Sequence, residues 1–152
     1  MYGWPMAPFE RPAELMFNRG LIPDPAAFAR EADAAAWLFL CGEAFAAMDG
    51  GMSYADVQAA VPASGNVISD PPVAMTMELA RIQLAALDAL PRPTLVTCRT
   101  GPRSSALVYL HAGLKAGATA DEVLARADAD EAPFARSPEL RAWVTQGLRE
   151  LA

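Results

Sequence analysis

A chain of 152 residues, 53% of them hydrophobic, is long enough to bury roughly 70% of its unfolded surface in one core, and residues 1–152 are expected to form a single domain. Its net charge of −6, with the basic residues scattered singly, offers no electrostatic footprint for nucleic acid or an anionic membrane surface, so any anion has to be held locally. Two cysteines make no disulfide framework, the N-terminus lacks the basic start and apolar stretch of a secretory signal, and the longest apolar run, Ala34–Cys41, is far shorter than the ~20 residues of a bilayer span, so a reducing cytoplasmic setting is expected.

Residues 1–12 carry three prolines without any period and are expected to form an irregular arm docked by Trp4 and Phe9. Residues 13–19 are expected to make a short helix stopped by Gly20. Asp24-Pro25 supplies an N-cap and a first-turn proline for a helix to about Asp33, with Phe28 and Ala32 on its core face. Ala36–Cys41 is a continuous apolar run of strand length, as in a strand covered on both faces. Ser53 and Asp56 have the spacing of a capping box opening a helix through Val61, which Pro62 ends. Residues 66–69 are expected to be a short strand closed by Asp70-Pro71-Pro72.

Thr76 caps the next predicted helix, whose apolar stripe Leu79, Ile82, Ala86 and Leu90 is expected to face the sheet. The β-rich run Pro93–Thr97 then delivers Cys98, and a helix from Ser105 to Lys115 follows with Leu107, Leu110 and Leu114 on one face. Thr119 and Glu122 form a second capping box, for a helix to about Asp128. Ser137-Pro138 opens a last helix with Leu140, Trp143, Val144, Leu148 and Leu151 inward. Nothing after Cys98 reads as a strand. The expected fold is therefore α/β, a small parallel sheet flanked by helices. In such sheets ligands sit beyond the carboxyl ends of the strands, where Cys41, Asp70 and Cys98 all fall.

The loop Cys98-Arg99-Thr100-Gly101-Pro102-Arg103-Ser104 carries the chemistry. A strand feeding a Gly-Pro turn feeding a helix points the first helical N–H groups, and the positive end of the helix dipole, at whatever sits over the turn. With a cysteine at the mouth of that cradle and Arg103 able to fold over the same point, the expected result is a thiolate nucleophile at neutral pH. The other cysteine, Cys41, is a buried hydrophobe by default, or a thiol able to resolve an oxidised Cys98 across the strand ends.

The Cys-Arg-Thr-Gly-x-Arg-Ser loop, together with Ser-Tyr-Ala-Asp-Val from Ser53, Val67–Val73, the helix after Thr76 and Gly117-Ala-Thr-Ala-Asp-Glu-Val, resembles the phosphatase-like domain of beta-lactamase-hydrolase-like proteins. That family is related in fold to the dual-specificity and tyrosine phosphatases, so the resemblance implies a cysteine-phosphatase-like domain. It implies that Cys98 is the nucleophile, Arg103 the oxyanion-binding arginine and Ser104 the hydroxyl beside the cysteine sulfur. It further makes Arg99, Thr100, Gly101 and Pro102 the substrate-binding cradle, and Asp70 the acid that protonates the leaving oxygen. The implied partner is a small anionic phosphoester. With one histidine and no Cys/His cluster, neither metal nor other cofactor is expected.

Two alternatives stay open. Four residues separate Cys98 from Arg103 where phosphatase loops have five, and this shorter loop is typical of rhodanese-like sulfurtransferases, whose cysteine carries a persulfide from a sulfane sulfur donor. A non-catalytic anion-binding module is the third reading, because Pro102 offers no N–H and Thr97 stands where phosphatases usually keep a histidine.

Overall fold

The computed structural model describes residues 8–152. Four strands run parallel in the order β1-β4-β2-β3: β1 is Leu15–Phe17, β2 Ala36–Phe39, β3 Ala63–Asn66 and β4 Thr94–Thr97. The two central strands are buried at every position, as strands covered on both faces must be. Between them Trp37 donates its indole N–H to Thr97 Oγ1 at 2.8 Å, so Thr97 serves the core of the sheet.

The helices are α1 (Pro25–Glu31), α2 (Glu43–Ala46), α3 (Tyr54–Ala60), α4 (Met77–Asp88), α5 (Pro102–Ala116), α6 (Ala120–Ala129) and α7 (Pro138–Glu150), with a 3-10 turn at Pro133–Arg136. Local chemistry starts most of them. Asp24, Thr76 and Ser137 accept N–H groups from the first turns of α1, α4 and α7, and full capping boxes open α3 at Ser53/Asp56 and α6 at Thr119/Glu122. α5 packs on β1 and β4 and is enclosed by α4, α6 and α7, while α1 and α3 pack together with α3 on β2 and β3. Residues 104–113 of α5 are consequently all buried.

Several sequence expectations are corrected. The segment 13–19 contains strand β1 in place of a helix, because pairing Leu15–Phe17 with Thr94–Val96 covers the outer side of β4. The third strand lies three residues earlier than expected, at Ala63–Asn66 and not 66–69, since that register pairs it residue for residue with Ala36–Phe39. Gly65 sits inside it over the Leu38 side chain. Helix α4 turns Ala80, Gln83 and Leu87 inward and leaves Ile82 half exposed, because Gln83 Nε2 donates to the buried Ser69 Oγ at 2.8 Å. In α1 the fully buried residue is Ala29, with Phe28 and Ala32 only half-buried. Phe9 is docked as expected, whereas Trp4 and the first seven residues of the predicted arm lie outside the described part. Among the described residues no helix is long and apolar enough to cross a membrane.

Candidate active site

β4 ends at Thr97 and places Cys98 at the carboxyl edge of the sheet, 4% exposed. The chain then closes over the sulfur. Gly101 N–H donates to Cys98 Sγ at 3.1 Å and Ser104 N–H at 3.4 Å, and Ser104 Oγ lies 3.4 Å from the same atom. The reversal requires Gly101, whose φ is +117° and where a Cβ would sit 2.2 Å from the Asn18 carbonyl oxygen. Pro102 follows as the first residue of α5, where its missing N–H costs no helical bond.

Asn18, which the sequence reading did not single out, organises the base of this loop. Its Nδ2 donates to the Cys98 carbonyl and to the Gly20 carbonyl, each at 3.0 Å. Its Oδ1 accepts the Cys98 N–H at 3.3 Å and the Ser104 hydroxyl at 2.9 Å. Gly20 N–H adds a bond to the Thr100 carbonyl at 2.8 Å. Asn followed two residues later by Gly signals a tight turn after β1. Its partner, 80 residues on, has no local signature.

The walls come from the loop after β3. Arg103 donates through Nη1 to the carbonyls of Ser69 and of Val73, the latter at 2.8 Å, and its Nε and Nη2 have no hydrogen-bond partner among the described residues. Asp70, 4% exposed, has both oxygens engaged: Oδ1 accepts the Gly42 N–H at 3.1 Å, and Oδ2 accepts Arg99 Nε at 2.9 Å with Nη2 at 2.8 Å. Arg99 also donates to the Pro71 carbonyl at 3.3 Å.

A cavity of about 270 Å³ opens over the sulfur, lined by Asp70, Pro71, Cys98, Arg99, Thr100, Pro102, Arg103, Ser137, Glu139 and Leu140. The structure thus gathers the sequence-predicted residues. Six of them line the cavity, and Gly101 and Ser104 hold the sulfur from beneath. Glu139, in the first turn of α7, joins the rim without any motif to announce it.

Cys41 is buried just beyond β2. Burial pushes its thiol well above the ordinary range, Asp70 and then Cys98 add to the shift, and Arg99 opposes it. A thiol held protonated in this way is a poor resolving nucleophile. His111 lies outside the cavity, 2.8 Å from Asp88 Oδ1, and burial lowers its pKa against the pull of that carboxylate. Among the described residues no group of three or more His, Cys, Asp or Glu is gathered to hold a metal ion.

A parallel sheet that delivers a cysteine loop into the N-terminus of a buried helix defines a cysteine-phosphatase-like fold, and comparison with solved structures agrees. A provisionally assigned phosphatase of Neisseria meningitidis Z2491 superposes with a TM-score of 0.67 at 17% identity, covering 94% of this chain and 99% of its own. A provisionally assigned phosphatase (DUF442) of Shewanella putrefaciens CN-32 gives 0.62 at 19% identity, over 93% and 90% of the two chains. The core catalytic domain of the PP-IP phosphatase SIW14 from S. cerevisiae gives 0.57 at 15%, over 91% and 81%. At these identities the likeness establishes the fold. No protein-family model matches the chain, and no curated protein matches it significantly.

Proposed function

We propose that this protein is a cysteine-dependent phosphatase acting on small phosphate monoesters. The observation that carries the reading is the position of Cys98 Sγ, which receives two backbone N–H groups and faces a cavity walled by Arg99, Arg103 and Asp70. Donors fixed around a sulfur stabilise its thiolate, and donors fixed around a phosphoryl group stabilise charge as it develops. The cysteine loop's resemblance to the phosphatase-like domain of beta-lactamase-hydrolase-like proteins supports the same assignment, as does the fold shared with proteins described as phosphatases.

In this mechanism Cys98 Sγ forms a bond to phosphorus while the bond from phosphorus to the ester oxygen breaks. Arg103 presents Nε and Nη2 to the equatorial oxygens, its Nη1 being committed to the Ser69–Val73 loop. The departing oxygen takes its proton from Asp70. As arranged here Asp70 is the counter-ion of Arg99, so substrate phosphate must draw Arg99 onto itself and free Asp70 to face the leaving oxygen. Water, deprotonated by Asp70, then attacks phosphorus, and the S–P bond breaks to give phosphate and the thiolate.

Purified protein is expected to hydrolyse 4-nitrophenyl phosphate in the presence of EDTA, and Cys98→Ser to lower kcat by about a thousandfold or more. Asp70→Asn is expected to lower it by roughly a hundredfold. Hydrolysis that survives Cys98→Ser overturns the mechanism.

The four-residue spacing from Cys98 to Arg103 keeps sulfur transfer as the second reading. Its signature is one added sulfur on Cys98 after incubation with thiosulfate, released as thiocyanate by cyanide. Anion binding with neither chemistry identifies the non-catalytic alternative.

A further inference from the structure

Beside the cysteine cavity lies a second one of about 620 Å³, and Asp70 and Pro71 form a wall of both. If Asp70 protonates the leaving oxygen, the alcohol part of the ester lies against this shared ridge. The second cavity opens on the far side of that ridge. Its volume lies in the ordinary range for a small-molecule site.

The charges of the two cavities differ. In the first, Arg99 and Arg103 stand against Asp70 and Glu139. The second has no Lys or Arg in its lining, and its two carboxylates are Asp70 and Glu43. Its other polar groups are mixed, since the Ser53 and Tyr54 hydroxyls can each donate or accept. Asn66 commits Nδ2 to the carbonyls of Phe39 and Cys41, at 2.9 and 3.0 Å, and so presents Oδ1. Glu43 is exposed and in no ion pair among the described residues. An acidic lining without Lys or Arg repels a second anion, and the net charge of −6 adds a field of the same sign.

We infer that the second cavity is the alcohol subsite, and that the substrate is the monophosphate of a neutral or cationic alcohol, in place of a polyphosphate or a phosphorylated acid. This rests on the phosphatase reading above and extends it to the substrate class.

The test is competitive inhibition of 4-nitrophenyl phosphate hydrolysis by phosphoethanolamine, glycerol 2-phosphate, 3-phosphoglycerate and inositol hexakisphosphate. The first two are expected to bind at least about tenfold more tightly than the last two. Glu43→Lys should shift the ratio between phosphoethanolamine and 3-phosphoglycerate towards the acid by about tenfold. Tightest binding by inositol hexakisphosphate, equal inhibition by all four, or a ratio unmoved by Glu43→Lys overturns the substrate class while hydrolysis itself stands. Absence of hydrolysis overturns the phosphatase reading, and the substrate class with it.

Discussion

Asn18 grips the Cys98 peptide from both sides, accepting its N–H and donating to its carbonyl, and accepts the Ser104 hydroxyl that lies against the sulfur. Three groups at the reacting centre are therefore oriented by one buried amide. Removing it leaves buried backbone groups unpaired, at a cost of about 1–3 kcal/mol, and frees the loop to shift. Asn18→Ala is expected to lower kcat for 4-nitrophenyl phosphate by about a hundredfold, since a displacement of about 1 Å in a positioned nucleophile carries that penalty. A variant with wild-type kcat would show that Gly101 and Ser104 hold the sulfur unaided.

At the level of elements the decisive junction is the passage from β4 into α5. Gly101 turns the chain with a φ of +117°, and the Asn18 carbonyl packs where any Cβ would go. Alanine there meets both a disfavoured backbone conformation and a backbone clash. Gly101→Ala is expected to lower stability by about 1–3 kcal/mol and to remove activity, because the Gly101 N–H that reaches Cys98 Sγ moves with it. Urea unfolding beside a turnover assay separates the two effects. The rest of α5 is fixed by close approach: Gly113 faces Val123 and Leu148, and Gly147 of α7 faces Leu110, at distances that leave no space for a further methyl group without displacing those side chains.

Across the whole molecule, the buried Tyr109 of α5 is tied by its hydroxyl to Asp130 at the end of α6, at 2.6 Å, and Arg126 holds the other carboxylate oxygen. Burial, and then the Asp130 hydrogen bond and charge, push the Tyr109 hydroxyl up to about 12. The unfolded chain releases this proton near the ordinary value of about 10, so the stability it contributes is complete below pH 10 and is lost as pH rises towards 12. The loss is on the order of 2 kcal/mol. Unfolding free energies measured from pH 9 to 12 should therefore fall more steeply for the wild type than for Tyr109→Phe, although the variant is less stable at pH 8 by about 1 kcal/mol. Cys41 titrates in both proteins, so equal slopes would refute the assignment to Tyr109.

Local chemistry in the sequence determined the helix starts at Asp24, Ser53, Thr76, Thr119 and Ser137, the two central strands, and the cysteine loop with its residues from Cys98 to Ser104. Each is written in adjacent residues: a side chain that caps its own first turn, an unbroken apolar run, a glycine that must turn. Strands β1 and β3 were not written that way. Three and four residues carry no measurable period, and Ala-Ser-Gly-Asn is poor strand sequence that extends only because β2 offers it a partner. The inward face of α4 followed from Gln83 finding Ser69. Asn18 beneath Cys98, Asp70 paired with Arg99, Glu139 on the rim and the acidic second cavity all join residues far apart in the chain, and such pairings exist only once the sheet order has brought the strand ends together.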